Sequence, residues 1–162
     1  MNSFNKEEFK KIKFLVLDFD GVLTDNRVLA FENGKEAVFC SRSDSLGIEM
    51  LKKNGIDIAV ISKEKNNVVR ARCKKLKIEC LSGIDKKKEI FLNQIKKRDL
   101  VISEVCYIGN DINDLECIKS AGIGVAVADA YEQVLQNADY ISRSKGGMGA
   151  IREIADLILV DK

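Results

Sequence analysis

The chain has 162 residues, 46% of them apolar and 32% charged, with a formal charge of +2. That length suits one domain with an ordinary core, and so balanced a charge excludes a polybasic nucleic-acid or membrane-surface module. Histidine is absent, which removes the Ser-His-Asp triad and the phosphohistidine intermediate from consideration.

Taken in chain order, residues 1–11 are polar and read as an extension or a frayed first turn ahead of a single domain over 12–162. The run Ile12-Lys13-Phe14-Leu15-Val16-Leu17 stops abruptly at acids, as a buried parallel strand does. Residues 28–40 form a predicted hairpin, with Asn33-Gly34 suited to a type I′ turn. A helix is predicted from about Asp44, as an acidic cap, to Asn54, closing at Gly55. Ile56 to Ile61 reads as a strand, and 65–76 as a helix with Val69, Cys73 and Leu76 on its inner face. Strands at 78–81, 105–108, 123–127 and 138–141 then alternate with helices at 85–97, 112–121, 131–137 and 149–159. This alternation predicts an α/β fold: a doubly wound parallel sheet covered on both faces, with a small β-hairpin flap.

The five cysteines are scattered, with no C-x-x-C pair and no histidine to complete a zinc site. An odd count, with no signal-peptide pattern, points to a reducing cytoplasm. No apolar run reaches bilayer-spanning length. Neither a C-x5-R loop nor a G-x-x-x-x-G-K or G-x-G-x-x-G pattern occurs. Hard chemistry is therefore left to aspartate, lysine and a metal.

In doubly wound sheets, ligands bind at the carboxyl ends of the strands. Asp18-Phe19-Asp20-Gly21-Val22 follows the first predicted strand, and Ser62 the second. Lys86, Lys87 and Lys88 open the 85–97 helix, and Gly109-Asn110-Asp111-Ile112-Asn113-Asp114 follows the 105–108 strand. Asp18, Asp20 and Asp111, with Asp114 close by, would converge on one sheet edge. Uncompensated, such carboxylates repel and protonate. A hard cation relieves them, and oxygen-only ligands favour magnesium. A lysine and a serine hydroxyl nearby supply what a phosphate needs.

These residues resemble the four motifs of the haloacid dehalogenase superfamily: D-x-D-G-[TV] at 18–22, a strand ending in Ser62, a lysine, and G-[DN]-D-x-x-D at 109–114. Spacing favours Lys87 as the lysine, with Lys86 and Lys88 as weaker choices. The resemblance implies that Asp18 is the nucleophile and Asp20 the general acid and base. It implies that Asp18, the Asp20 carbonyl and Asp111 hold Mg2+, that Ser62 and Lys87 bind phosphoryl oxygens, and that Asp114 orients Lys87, with Asn110 in support. The intervals from Asp20 to Ser41 and from Ser62 to Lys87 leave no room for a cap domain. Within the superfamily the chain is similar to the capless group acting on 3-deoxy-D-manno-octulosonate 8-phosphate and nine-carbon relatives, whose hairpins assemble a homotetramer. Arg42-Ser43-Asp44-Ser45-Leu46-Gly47-Ile48 and the tail from Gly146 to Glu153 carry that likeness. Lys63-Glu64, where octulosonate phosphatases usually have Gly-Arg, resembles instead the domain attached to acylneuraminate cytidylyltransferases. It leaves open a weakly active oligomerisation module as the alternative. Neither reading involves nucleic acid or a membrane.

Overall fold

The computed structural model describes residues 5–160. Its first element is a 3-10 turn, Lys6–Lys11, capped by the Asn5 side chain, which accepts from the Glu7 N–H. Phe9 and Ile12 are fully buried, and Phe9 meets Tyr140 edge-on at 5.5 Å. The described part of the expected 1–11 extension is thus docked onto the domain; residues 1–4 lie outside the described residues.

Eight strands follow: β1 (Phe14–Leu17), β2 (Thr24–Ala30), β3 (Glu36–Cys40), β4 (Asp57–Ser62), β5 (Glu79–Ser82), β6 (Val105–Gly109), β7 (Ile123–Ala126) and β8 (Tyr140–Ile141). The helices are α1 (Arg42–Lys53), α2 (Asn67–Leu76), α3 (Lys87–Lys97), α4 (Leu115–Ser120), α5 (Glu132–Leu135) and α6 (Ala150–Ile158). Six strands form one sheet in the order β5-β4-β1-β6-β7-β8, every neighbouring pair parallel. The chain steps from β1 outward to β5, returns to β6, and steps outward again to β8. Right-handed crossovers then put α1 and α2 on one face and α3 and α4 on the other. In keeping with this, α1 packs along α6 and touches α2, while α3 packs on α4. Sandwiched between these layers, β1 and β6 are buried along their whole length, which is why they read as unbroken apolar runs. No helix among the described residues is long and apolar enough to cross a membrane.

The hairpin β2–β3 forms its own two-stranded sheet. Its turn differs from the expected type I′. That turn needs positive φ at both central residues, and Asn33 does not adopt it, whereas Gly34 does (φ 77). Gly34 N–H donates to Phe31 O and Phe31 N–H to Lys35 O, both at 2.9 Å, giving a three-residue loop.

Two helix starts also differ from expectation. Ser41, not Asp44, caps α1, accepting from the Asp44 N–H. Asp44 is fully buried and accepts instead from the Gly149 and Arg152 N–H groups at 3.2 and 2.9 Å, so one helix supplies the cap of another. The expected 112–121 helix is a 3-10 turn, Ile112–Asp114, running into α4, because the Asp114 side chain folds back onto the backbone before it. By contrast, α6 buries Ala150, Ile151, Ile154, Ala155 and Ile158 at helical spacing, as expected. Asp44→Ala would orphan the first amides of α6. It is expected to lower stability in urea unfolding by about 1–3 kcal/mol.

Candidate active site

β1 and β6 are neighbours, yet the chain leaves them toward opposite edges of the sheet. Such a switch point opens a crevice at the strand carboxyl ends. Asp18 follows β1 directly, and its N–H donates to Ile108 O on β6 at 3.0 Å, which fixes the backbone at the crevice. Asp20 sits two residues on, in the irregular turn Phe19–Leu23. That turn needs Gly21: its φ is +82, and a side chain there would overlap the Asn110 amide. Thr24 Oγ1 closes the turn, accepting from the Gly21 and Asn26 N–H groups at 3.1 and 3.2 Å. Ser62 ends β4, buried, with its Oγ accepting from the Glu64 N–H.

One cation organises the acids. Lys87 Nζ donates to Asp18 Oδ1 at 2.7 Å and to Asp114 Oδ1 at 2.8 Å, with the lysine only 3% exposed. Lys86 and Lys88 are exposed, so of the three lysines Lys87 alone reaches this cluster. Asp114 is saturated: besides Lys87 it accepts from the Tyr107 hydroxyl at 2.8 Å and from the Asn110 and Asp111 N–H groups. It has no capacity left for a metal and serves to position Lys87. Tyr107 was not anticipated from sequence. The available signal was a phenol inside an otherwise apolar strand, whose hydroxyl must find a partner.

Burial pushes the Asp18 carboxyl up to about 8, and the neighbouring Asp114 charge adds to this; Lys87 offsets only part of it. Burial alone would lower Lys87, but the Asp18 and Asp114 carboxylates reverse that and hold it above its ordinary value. Asp20 is raised by burial and then by the Glu64 charge.

Asp18, Asp20, Ser62, Asn110 and Asp111 share the wall of one cleft of about 430 Å³. Lys87 and Asp114 are not in that wall and sit behind Asp18. Asn26, Lys63, Glu64, Lys65, Asp85 and Asn113 complete the lining. Sequence reading did not assign these to the site, since pocket walls depend on how loops fold over strand ends.

The donor set fits magnesium. Burial and the Asp114 charge raise Asp18 by more than Lys87 offsets, so its ionised form calls for further positive charge. Apart from the Lys63 and Lys65 amines, the polar groups lining the cleft are oxygen or amide. Among the described residues, no three His, Cys, Asp or Glu side chains form a ready metal cluster. Asp18 and Asp111, with the Asp20 carbonyl and water, could hold the ion from this cleft. Magnesium characteristically takes one or two carboxylates and keeps several waters.

Comparison with known proteins gives consistent matches. Residues 61–154 match the family model described as haloacid dehalogenase-like hydrolase. The 3-deoxy-D-manno-octulosonate 8-phosphate phosphatase of Escherichia coli (strain K12) is 36% identical over 152 residues, 93% of this chain and 81% of that protein. The crystal structure of the Moraxella catarrhalis phosphatase of the same name, in complex with a magnesium ion, a phosphate ion and KDO, superposes with a TM-score of 0.92. It is 35% identical, over 96% of this chain and 90% of that one. The Yersinia pestis enzyme gives a TM-score of 0.93 at 31% identity, over 98% and 86%.

Removing the shared cation tests the cluster. Lys87→Met would leave two buried carboxylates opposed only by hydrogen bonds and is expected to cost about 3–5 kcal/mol in chemical denaturation. Lys86→Met and Lys88→Met, on the exposed side, should stay within about 0.5 kcal/mol of the parent.

Proposed function

The chain belongs to the haloacid dehalogenase-like hydrolases, and from that premise we propose that it is a magnesium-dependent phosphatase of a sugar-acid phosphate. Its substrate is 3-deoxy-D-manno-octulosonate 8-phosphate or a nine-carbon 9-phosphate of the same type. The observation that carries this reading is the convergence of Asp18, Asp20, Ser62 and Asp111 on one cleft, with Asp18 held from behind by Lys87. Relatives named as octulosonate phosphatases support the substrate class and do not favour the alternative of an inactive assembly module.

The chemistry is written onto the residues as follows. The Asp18 carboxylate attacks phosphorus, a bond forms from aspartate oxygen to phosphorus, and the bond from phosphorus to the sugar oxygen breaks. Asp20 gives its proton to the departing alkoxide. Burial, then the Glu64 charge, raise its carboxyl against the lowering effect of Lys87, the direction an acid needs. Asp20 then takes a proton from water, which displaces Asp18 and leaves inorganic phosphate. Lys87 holds the Asp18 carboxylate in orientation, and two of its three N–H groups are committed to Asp18 and Asp114. The third N–H and the Ser62 hydroxyl are the donors assigned to the phosphoryl oxygens. Asp18, the Asp20 carbonyl and Asp111 would hold magnesium, which would supply positive charge against the phosphoryl oxygens.

The β2–β3 hairpin is the assembly surface in this reading. It exposes Val28, Leu29, Phe31 and Phe39, the last at 67%, apolar side chains that a partner could cover. In this reading the chain assembles as a homotetramer through the hairpins and works in the cytoplasm, where its five free cysteines stay reduced.

Phosphate release is expected with magnesium and to vanish on chelation, with Asp18→Asn at background. Asp20→Asn should lower kcat about 10²–10⁴-fold. If neither octulosonate 8-phosphate nor a nonulosonate 9-phosphate is hydrolysed, the substrate assignment fails. Sedimentation velocity tests assembly: Phe39→Lys should convert the tetramer to smaller species, and a parent that sediments as a monomer would contradict the interface.

A further inference from the structure

Three described residues other than glycine have positive φ: Asn26 (64), Lys77 (55) and Asp99 (53). Lys77 is the left-handed C-cap of α2, and Asp99 follows the C-cap of α3, the ordinary place for this conformation. Asn26 instead lies inside β2, where the β2–β3 register slips between Thr24 and Val28. Bulges of this kind recur beside active sites and re-aim a side chain.

Glycine would occupy such a position at lower cost. Asparagine tolerates it mainly because its short side chain can bond the local backbone. Here it does not: the Asn26 backbone N–H donates to Thr24 Oγ1, and no hydrogen bond from its side-chain amide is found among the described residues. The amide is uncommitted, and it lines the same cleft as Asp18 and Asp20. That cleft, at about 430 Å³, lies within the roughly 300–1,000 Å³ range of small-molecule sites and has room beyond a phosphoryl group.

Resting on the phosphatase reading above, we propose that the Asn26 side-chain amide is a specificity contact, hydrogen-bonding hydroxyl groups of the sugar acid beyond its phosphoryl end. An amide offers both donor and acceptor, which matches a hydroxyl pair. It does so without adding charge to a wall that already carries Asp18, Asp20, Glu64, Asp85 and Asp111.

The test is Asn26→Gly, which permits the same backbone conformation and removes the side chain with its amide. Stability in urea should be unchanged or higher. KM for the preferred sugar-acid phosphate should rise about three- to ten-fold with kcat little changed, the loss expected for a net hydrogen bond or two. Activity toward p-nitrophenyl phosphate, which has no sugar hydroxyls, should not move. Asn26→Asp, which keeps the shape but loses the donor, should also raise KM. An unchanged KM in both variants, with normal p-nitrophenyl phosphate activity, overturns the contact. A parent that turns over p-nitrophenyl phosphate but no sugar-acid phosphate overturns the substrate reading, and this proposal with it.

Discussion

A single buried ammonium, that of Lys87, holds two buried carboxylates in place, and the geometry of the cleft follows from it. Taking each charge out of water costs several kcal/mol, which only close pairing and further hydrogen bonds can offset. Those bonds are present: Asp114 takes four donors, and Asp18 takes the lysine on one oxygen. The cluster ties together the end of β1, the start of α3 and the loop after β6. Three segments remote in sequence are therefore fixed by one charge balance, and a shift in any of them would leave a buried charge unmatched. The residual imbalance at Asp18 faces the cleft, where a cation and a phosphoryl group are needed.

Topology brings these parts to one place. The crevice between β1 and β6 exists because the chain departs from them in opposite directions, and the catalytic turn at 19–23 follows β1 at that point. The glycine-rich tail braces that turn from the other side. Gly147 N–H donates to Val22 O at 2.9 Å, and a side chain at Gly146 would overlap the Gly21 carbonyl. The same tail is anchored to α1 through Asp44, so the hairpin connection, the last helix and the catalytic turn form one packed unit.

Much of this was legible in the sequence because it follows from pattern. Strands β1 and β6 are short apolar runs ending in acids, and α6 carries an unbroken apolar face, so their places could be read directly. The four motifs, three of them charged, pointed to the cleft at the strand ends, and spacing already favoured Lys87, although only packing separates it from its exposed neighbours. What escaped were features decided by long-range contact. Asp44 looked like the cap of its own helix but caps α6, more than a hundred positions away. The Asn33-Gly34 dipeptide suited a two-residue turn, yet the register of β2 and β3 set a longer loop. The contribution of Tyr107 and the cleft walls at Asn26, Lys63 and Asp85 depended on the folded arrangement of loops.

The central claim is that hydrolysis proceeds through Asp18 in two displacements at phosphorus. The stereochemical course of the reaction tests it most directly, using a sugar-acid phosphorothioate made chiral at phosphorus by sulfur and two oxygen isotopes, hydrolysed in water that carries the third isotope. Two in-line displacements release inorganic thiophosphate with retained configuration, and this is the expected result. Inversion would mean that water attacks the substrate directly, and it would remove Asp18 from the role of nucleophile.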